Sequence, residues 1–213
     1  MPCDFAPITL VASLPNVLVV HPSLQVQSLS ALIALAKERP GQLSYASAGI
    51  GTSPHMGMEL LKSMAGIDIA HIPFRGTGPA VTEILSGRVP MGLSNTLTAI
   101  PQIDGGLLRA LAVTGARRAA VLPDVPTIAE AGVPGYEAMQ WYGMLAPAGT
   151  SPDIVARLSQ EIAKALKLPE VREKLAADGA EPVGSSAAEF AALIKIELEK
   201  WAMVARAAHI EPQ

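Results

Sequence analysis

Residues 43–55 change, within a short segment, from a strand pattern to a glycine-rich turn and then to the start of a helix. Gly49 and Gly51 permit positive φ angles and a close approach of the backbone to a ligand. Ser53 followed by Pro54 predicts the N-cap and the first residue of a helix. The segment is therefore typical of a binding loop, and the rest of the chain can be interpreted as its scaffold.

The start of this predicted helix offers hydrogen-bond donors to an anion. Four backbone N–H groups at a helix start lack intrahelical partners. Hydroxyl groups next to them add further donors at Ser47, Thr52 and Ser53. The sequence therefore predicts a pocket for a small anion at this helix N-terminus.

Ser47 is also a candidate nucleophile. The nucleophile elbow of hydrolases has the pattern G-x-S-x-G, whereas Tyr45 occupies the first glycine position here. His55, the candidate base, lies inside the following helix, and the sequence places no obvious carboxylate to orient it. A hydrolase or transferase that uses Ser47 is kept as the alternative hypothesis. Pro54 breaks the dinucleotide pattern G-x-G-x-x-G, and no P-loop pattern occurs.

The first half of the chain alternates strand patterns with helix patterns. The predicted strands are 8–12, 17–20, 43–46, 69–74, 89–93 and 108–113, and the predicted helices are 28–37, 54–66, 79–87 and 97–103. Such alternation is typical of right-handed βαβ units with a parallel sheet. Because loops that follow parallel strands lie at one edge of the sheet, we expect those at 47–53, 75–78 and 94–96 to converge on one site.

Two side chains in these loops are further candidates for ligand contacts. Arg75 is either a bidentate partner for a carboxylate or a solvated surface arginine. Asn95 either orients a ligand or shapes a turn. Beyond residue 115 the sequence predicts a connector with a short helix at 127–131, a buried strand at 138–146 and then three helices.

Composition and charge argue against several classes of function. Half of the 213 residues are hydrophobic and 16% are charged, as in a compact globular protein. The net charge is −3 and no run of Lys or Arg occurs, so binding of nucleic acid is not expected. The lone Cys3 excludes an internal disulfide and is interpreted as a cysteine with no special role. The four histidines lack metal-ligand spacing, so neither a metal nor a cofactor is expected.

Targeting signals are not visible in the sequence. The first residues lack the basic region and the apolar run of a signal peptide. No stretch approaches the roughly eighteen uninterrupted apolar residues of a membrane span. We therefore expect the chain as given to carry neither an export signal nor a membrane anchor.

Five ordered motifs resemble one known family. They are Tyr45-Ala-Ser-Ala-Gly-Ile-Gly-Thr-Ser-Pro-His55, His71-Ile-Pro-Phe-Arg-Gly76, Leu108-Arg-Ala-Leu-Ala-Val113, Leu122-Pro-Asp-Val-Pro-Thr127 with Glu130-Ala-Gly132, and Leu145-Ala-Pro-Ala-Gly149. Together they resemble the Bug family, the periplasmic solute receptors of tripartite tricarboxylate transporters. The resemblance covers nearly the whole chain, and the ordered set is specific although each motif alone is weak.

The resemblance implies an α/β, type II periplasmic-binding-protein-like fold with one nearly complete βαβ domain and one incomplete domain. Residues 21–142 would form the nearly complete domain. Residues 1–20 would supply a strand and the first crossover, and 143–213 would supply the return crossover and the C-terminal helices of the incomplete domain. The implied function is non-catalytic binding of a small mono-, di- or tricarboxylate in the periplasm, for the membrane components of a tripartite tricarboxylate transporter.

The family motif also implies which residues contact the ligand. Matched position by position, they are Ser47, Gly51, Thr52, Ser53, His55, Arg75, Gly76 and Asn95. One neighbouring position departs from the family. Ser94 stands where the family commonly has an aspartate, which argues against recognition of a ligand amine there.

Family members carry an N-terminal part without a counterpart in this chain. It comprises a signal peptide and the opening of the first domain, including a Pro/Gly-rich loop that forms the other wall of the cleft. Two further hypotheses follow from this difference. The chain is a truncated remnant without full binding activity, or it self-associates through the apolar surface that the missing part would cover.

Overall fold

The computed structural model describes residues 4–210, so Cys3 lies outside the described residues. The chain divides into two compact units. The first, here called the terminal unit, contains the residues up to Leu14 together with Gln140–Ala202. The second, the central unit, contains Pro15–Met139 and the residues from Met203 onwards. The predicted site residues all belong to the central unit.

The central unit is built on a mixed β-sheet. Its strands are β1 (Phe5–Val20, of which the second part lies in this unit), β2 (Ser44–Ser47), β3 (Ala70–Pro73), β4 (Met91–Asn95) and β5 (Arg109–Val113). Their order is β3-β2-β4-β1-β5. Strand β2 runs parallel to β3 and β4, whereas β1 runs antiparallel to β4 and β5. The predicted parallel sheet is therefore correct for β2, β3 and β4 and wrong for β1.

Strand β1 also corrects the prediction of two short strands separated by a turn at Pro15-Asn16. The strand is continuous from Phe5 to Val20. Proline suits an extended backbone and lacks only the N–H. The N–H of the next residue, Asn16, donates to Thr114 Oγ1 at 2.8 Å, so the ladder continues through a side chain.

The central unit contains four α-helices, each close to its predicted place in the chain. They are α1 (Leu29–Glu38), α2 (Ser53–Ala65), α3 (Thr77–Leu85) and α4 (Thr96–Asp104), with a 3₁₀ turn at Pro22–Leu24. Ser28 caps α1 by accepting from Ala31 N at 3.1 Å. Gly66 ends α2 with φ 63°. The predicted helix at 127–131 is instead a turn, fixed by reciprocal hydrogen bonds between Thr127 and Glu130.

Helices pack on both faces of this sheet. Gly57 of α2 lies so close to Leu93 of β4 that an added Cβ would be 2.8 Å from its side chain. On the other face, Gly92 approaches Ile84 of α3 equally closely. The β1 residues 17–20 between these layers are fully buried. The sheet core therefore fixes the start of α2 relative to the strand ends.

The terminal unit contains the remaining elements. These are β6 (Met139–Pro147, which begins at the last residue of the central unit), α5 (Pro152–Ala165), α6 (Pro169–Ala177), β7 (Glu181–Pro182) and α7 (Ala187–Ala207, of which the residues from Met203 onwards belong to the central unit). Both β6 and β7 pair with β1. The strand predicted at 138–146 exists, but its burial was predicted wrongly, because Tyr142 is 55% exposed. Across residues 4–210, every helix is too short or too polar to cross a membrane.

Candidate functional site

Three loops meet at one edge of the central sheet, as the sequence predicts. Strands β3, β2 and β4 are neighbours and run in the same direction, so their following loops lie together. Phe74 N donates to Ser47 O at 3.0 Å, and Gly76 N donates to Ala48 O at 3.1 Å. The loops after β2 and β3 are therefore in direct contact.

The loop after β4 is tied to the same place through β1. Asn16 pairs with Asn95, the last residue of β4, in the antiparallel register. The side chain of Asn16 also donates from Nδ2 to Ser53 Oγ, at 2.9 Å, at the start of α2. Asn16 is 1% exposed, so this link is part of the core. It was not anticipated from the sequence, because Pro15-Asn16 reads as a turn.

The 47–53 loop has a tight internal structure. Gly49 has φ 133° and Gly51 has φ 76°, conformations that side chains disfavour. The carbonyl of Gly49 accepts from Thr52 Oγ1 at 2.7 Å. Thr52, rather than Ser53, is the N-cap residue of α2, one position earlier than predicted. The proline after Ser53 still lies in the first turn, where its missing N–H costs nothing.

The three predicted hydroxyl groups of this loop have different roles. Ser47 Oγ lies 2.6 Å from His71 Nε2 and accepts from Gly49 N at 3.1 Å. Thr52 donates within the loop, as described above. In the described contacts Ser53 Oγ acts only as an acceptor, from Asn16, which leaves its hydroxyl hydrogen for another partner.

Two helix N-termini at this edge present free donors. The hydroxyl of Thr52 points back to Gly49 O instead of capping α2, so the first N–H groups of α2 keep no intrahelical acceptor. The N-cap residue of α3 is Gly76, which has no side chain that could cap. By contrast, Asn95 Oδ1 caps α4 by accepting from Thr98 N at 2.9 Å. The donors thus cluster at α2 and α3.

A stack of aromatic rings supports the loop from the sheet side. The rings of His55 and His71 are 3.9 Å apart and nearly parallel, and Tyr45 stacks on His71 at 4.9 Å. His55 Nδ1 accepts from Gly51 N at 3.0 Å. Tyr45 donates to Glu59 Oε1 at 2.6 Å, and Lys62 Nζ lies 2.7 Å from the same oxygen. His55 is 3% exposed and Glu59 is 8% exposed.

Burial keeps both histidines of the stack uncharged. It lowers the pKa of His71 to about 4, with further lowering by His55 and Lys62 and an opposing effect of Glu59. Burial also lowers the pKa of His55, against the attraction of Glu59 and together with the repulsion of Lys62. The pKa of Tyr45 is raised by burial and by its hydrogen bond to Glu59. At neutral pH the rings therefore act as neutral hydrogen-bonding groups.

The remaining predicted residues occupy the rim of the site. Arg75 is exposed in the loop between β3 and α3. Gly76, beside it, has φ 109° and contacts the 47–53 loop through its N–H. The side-chain oxygen of Asn95 caps a helix. The interpretation that Asn95 shapes a turn therefore accounts for this oxygen of its amide group. The sequence reasoning missed Asn16, His71 and Glu59 as parts of this site.

The geometry differs from that assumed by the hydrolase hypothesis. Ser47 pairs with His71, whereas His55 bonds the loop backbone. Glu59, the carboxylate of the cluster, is bonded to Tyr45 and Lys62. Ser47 is 1% exposed, and its hydroxyl group contacts His71 and Gly49. Within residues 4–210 there is also no group of three or more His, Cys, Asp or Glu side chains that could hold a metal ion.

Two curated relatives of this chain are longer than the chain itself. It is 43% identical over 199 residues to a UPF0065 protein of Pseudomonas sp. strain P51, which covers 93% of the chain and 59% of the relative. It is 39% identical over 203 residues to the protein BugT of Bordetella pertussis, covering 95% and 62%, respectively. The chain therefore spans about six tenths of the length of these curated relatives.

Solved structures share the fold. A structure described as R. palustris Rpa4515 with adipate has a TM-score of 0.88 and 38% identity, covering 99% of this chain and 70% of that one. The periplasmic binding protein BugD has a TM-score of 0.86 and 31% identity, covering 100% and 72%. MatC from Rhodopseudomonas palustris with bound malate has a TM-score of 0.82 and 31% identity, covering 94% and 69%.

These likenesses confirm the predicted α/β periplasmic-binding-protein fold. A family model described as "Tripartite tricarboxylate transporter family receptor" matches residues 2–210. Its description is that of a receptor, in agreement with the prediction that the chain is not an enzyme, and BugT carries the name of the family suggested by the sequence motifs. The chain belongs to the tripartite tricarboxylate transporter receptor family.

Proposed function

We propose that the central unit binds a small carboxylate at the 47–53 loop, without catalysis. The observation that carries this proposal is the pair of adjacent helix N-termini, of α2 and α3, whose donors point to the same edge. Helix N-termini favour anions through their free N–H groups and through the helix dipole. Two solved structures similar to this chain are described with adipate and with malate, both dicarboxylates.

The contacts of the proposed site residues support different roles for them: some would contact the ligand and others hold the loop. Ser53 offers a hydroxyl hydrogen and, with His55, backbone N–H groups of the first turn of α2. Arg75, exposed on the neighbouring loop, adds the positive charge and the bidentate geometry that suit a carboxylate. Ser47 and Thr52 act indirectly, because their hydroxyl groups hold the loop in shape.

Calorimetry with adipate, malate and citrate at pH 7.5 tests the proposal. Ser53→Ala is expected to weaken binding by about tenfold, because a ligand oxygen loses a donor inside the site. Ser63→Ala is a matched control, since Ser63 is an exposed serine of the same helix. The proposal fails if none of the three carboxylates binds. It also fails if Ser53→Ala and Ser63→Ala both bind the carboxylate as tightly as the unchanged chain does.

We further propose that the chain acts in the periplasm and delivers its ligand to the membrane components of a tripartite tricarboxylate transporter. The family description and the periplasmic relative BugD support this assignment. Uptake of labelled adipate by cells that lack the gene tests it, with complementation by the full-length gene and by its Ser53→Ala form. Undiminished uptake in the deleted cells would contradict the proposed transport role.

We also propose that the chain self-associates through exposed hydrophobic side chains of the terminal unit. Large hydrophobic side chains are exposed on α5 and α7, among them Ile154, Leu158, Ile196 and Leu198. Exposed hydrophobic side chains favour association where they form a continuous surface. Sedimentation velocity should show a species that grows with concentration and that Leu158→Lys reduces. A monomer at all concentrations would exclude it.

A further inference from the structure

Two histidines hold the 47–53 loop through its two glycines. His55 Nδ1 accepts directly from Gly51 N at 3.0 Å. His71 acts through one hydroxyl group, because its Nε2 lies 2.6 Å from Ser47 Oγ, which accepts from Gly49 N at 3.1 Å. The two positions at which the loop adopts positive φ are thus both anchored to the histidine stack.

The bond between Gly51 and His55 requires an uncharged imidazole. A backbone N–H is a donor, so Nδ1 of His55 must carry a lone pair, and the neutral ring carries its proton on Nε2. Protonation would turn Nδ1 into a second donor that faces the N–H of Gly51. A charge on either ring would also oppose a charge on the other, since the ring centres of His55 and His71 are 3.9 Å apart.

The charged and titratable groups around the stack are few. Tyr45 of β2 and His71 of β3 lie on the sheet side, and Glu59 and Lys62 follow His55 on its own helix. Glu59 is paired with Lys62 at 2.7 Å, so its attraction for a histidine proton is partly balanced. Burial lowers the pKa of both histidines, that of His71 to about 4. The stack is therefore neutral at pH 7 and gains charge only in acid.

We propose that His55 and His71 are positioning residues for the ligand-binding loop, and that protonation of His55, which breaks its hydrogen bond to Gly51, loosens the loop and lowers its affinity for the carboxylate. The inference rests on the proposed function, because it concerns the loop to which carboxylate binding is assigned. Neither ring needs to touch the ligand. The pair acts on the ligand site through Gly51 and through Ser47 with Gly49.

Two kinds of variant separate positioning from simple packing. His55→Phe keeps a stacked ring but removes the acceptor for Gly51, and it is expected to weaken adipate binding at pH 7.5 by about tenfold. His55→Asn offers an amide oxygen close to the place of Nδ1 and is expected to restore most of the affinity. If His55→Phe binds adipate as well as the unchanged chain does, the positioning role is wrong.

The pH profile tests the protonation step. Affinity for adipate is measured by calorimetry from pH 7.5 down to pH 4, the range in which His71 gains its proton, for the unchanged chain and for the double variant His55→Asn/His71→Gln, which lacks both imidazoles. Protonation of adipate itself affects both proteins alike, so the difference between the profiles reports the histidines. The unchanged chain should lose more affinity in acid than the double variant, and His209→Asn, at an exposed histidine, should follow the unchanged chain. Superimposable profiles of the unchanged chain and the double variant would overturn the proposal.

A measurement on the unliganded chain distinguishes failure of this inference from failure of the proposed function. In a ¹⁵N-labelled sample, His55 should carry its proton on Nε2 at pH 7.5, and the Gly51 amide signal should shift with the titration of His55. A proton on Nδ1 of His55 at pH 7.5, or a Gly51 signal that ignores its titration, would disprove the positioning contact even if adipate binds. If the His55 and Gly51 signals behave as expected but no carboxylate binds, only the proposed function and the effect on affinity are disproved.

Discussion

The central unit and the terminal unit bury their hydrophobic side chains to very different extents. In the central unit, the β1 residues 17–20 and Leu61 of α2 are fully buried, because helices cover both faces of the sheet. In the terminal unit, none of the residues described in α5 or α6 is buried, and Leu198 of α7 is 53% exposed. Hydrophobic periodicity thus predicts an element and its apolar face, but burial depends on what packs against that face.

The largest expected effect is the loss of a core leucine. Leu61→Ala should lower the free energy of unfolding by about 2–5 kcal/mol, because it removes buried methyl groups and leaves a cavity. Leu198→Ala makes the same chemical change on an exposed helix face, where about 0.5 kcal/mol or less is expected. Urea unfolding followed by circular dichroism measures both. Equal losses would show that burial in the two units does not differ energetically.

A glycine in the central sheet should be the next most sensitive position. An added Cβ at Gly92 would lie 2.7 Å from Ala46 O and 2.8 Å from Ile84 Cδ1. We expect Gly92→Ala to cost about 1–3 kcal/mol through overpacking. Gly78→Ala in α3 is the matched control, since its Cβ would have no neighbour within 4 Å. The core packing described for β4 is incorrect if both alanine variants are as stable as the unchanged chain.

The pH dependence of stability should also distinguish the units, because all four histidines lie in the central unit. The folded-state pKa of His71 is about 4, below the unfolded value of about 6.5. Below about pH 6.5 the unfolded chain therefore binds protons that the folded chain does not, and stability falls as the pH is lowered toward 4. Urea unfolding at pH 7.5 and pH 5 should show a smaller loss for His55→Asn/His71→Gln. An identical loss of stability in this variant would show that groups other than His55 and His71 cause the pH dependence.

The smallest expected effect concerns helix caps. Ser28 accepts a hydrogen bond from Ala31 N at the start of α1, so Ser28→Ala should cost about 1 kcal/mol. Ser151 occupies the same position at the start of α5 in the terminal unit, where its side chain makes no cap hydrogen bond. Ser151→Ala should therefore change the free energy of unfolding by only about 0.3 kcal/mol. The same urea experiment checks both, and a larger loss from Ser151→Ala would reverse the ranking.

Local signals in the sequence predicted much of the central unit. The cap at Ser28, the end of α2 at Gly66 and the convergence of three loops follow from residue types and from the alternation of strands and helices. The family resemblance is also confirmed by the matching family model. The ligand-binding roles of Ser47, Gly51, Thr52, Ser53, His55, Arg75, Gly76 and Asn95 stay a prediction.

Features that depend on pairing between distant segments could not be predicted. The contact of Ser47 with His71 follows from the register of β2 on β3, in which Tyr45 lies opposite His71. The continuity of β1 depends on Thr114, which replaces a strand partner for the N–H of Asn16. The exposure of β6 likewise depends on which elements pack against it. The pattern of residues within the strand does not indicate those elements.

Nuclear magnetic resonance of the ¹⁵N-labelled chain, titrated with adipate at pH 7.5, tests the central claim most directly. The account predicts saturable shifts of the Ser53, His55 and Gly76 amide signals, which lie at the two helix N-termini, while the signal of Tyr142 in the terminal unit stays unchanged. Saturable shifts confined to β6 and the helices of the terminal unit, or no saturable shift at all, would contradict the assignment of carboxylate binding to the 47–53 loop.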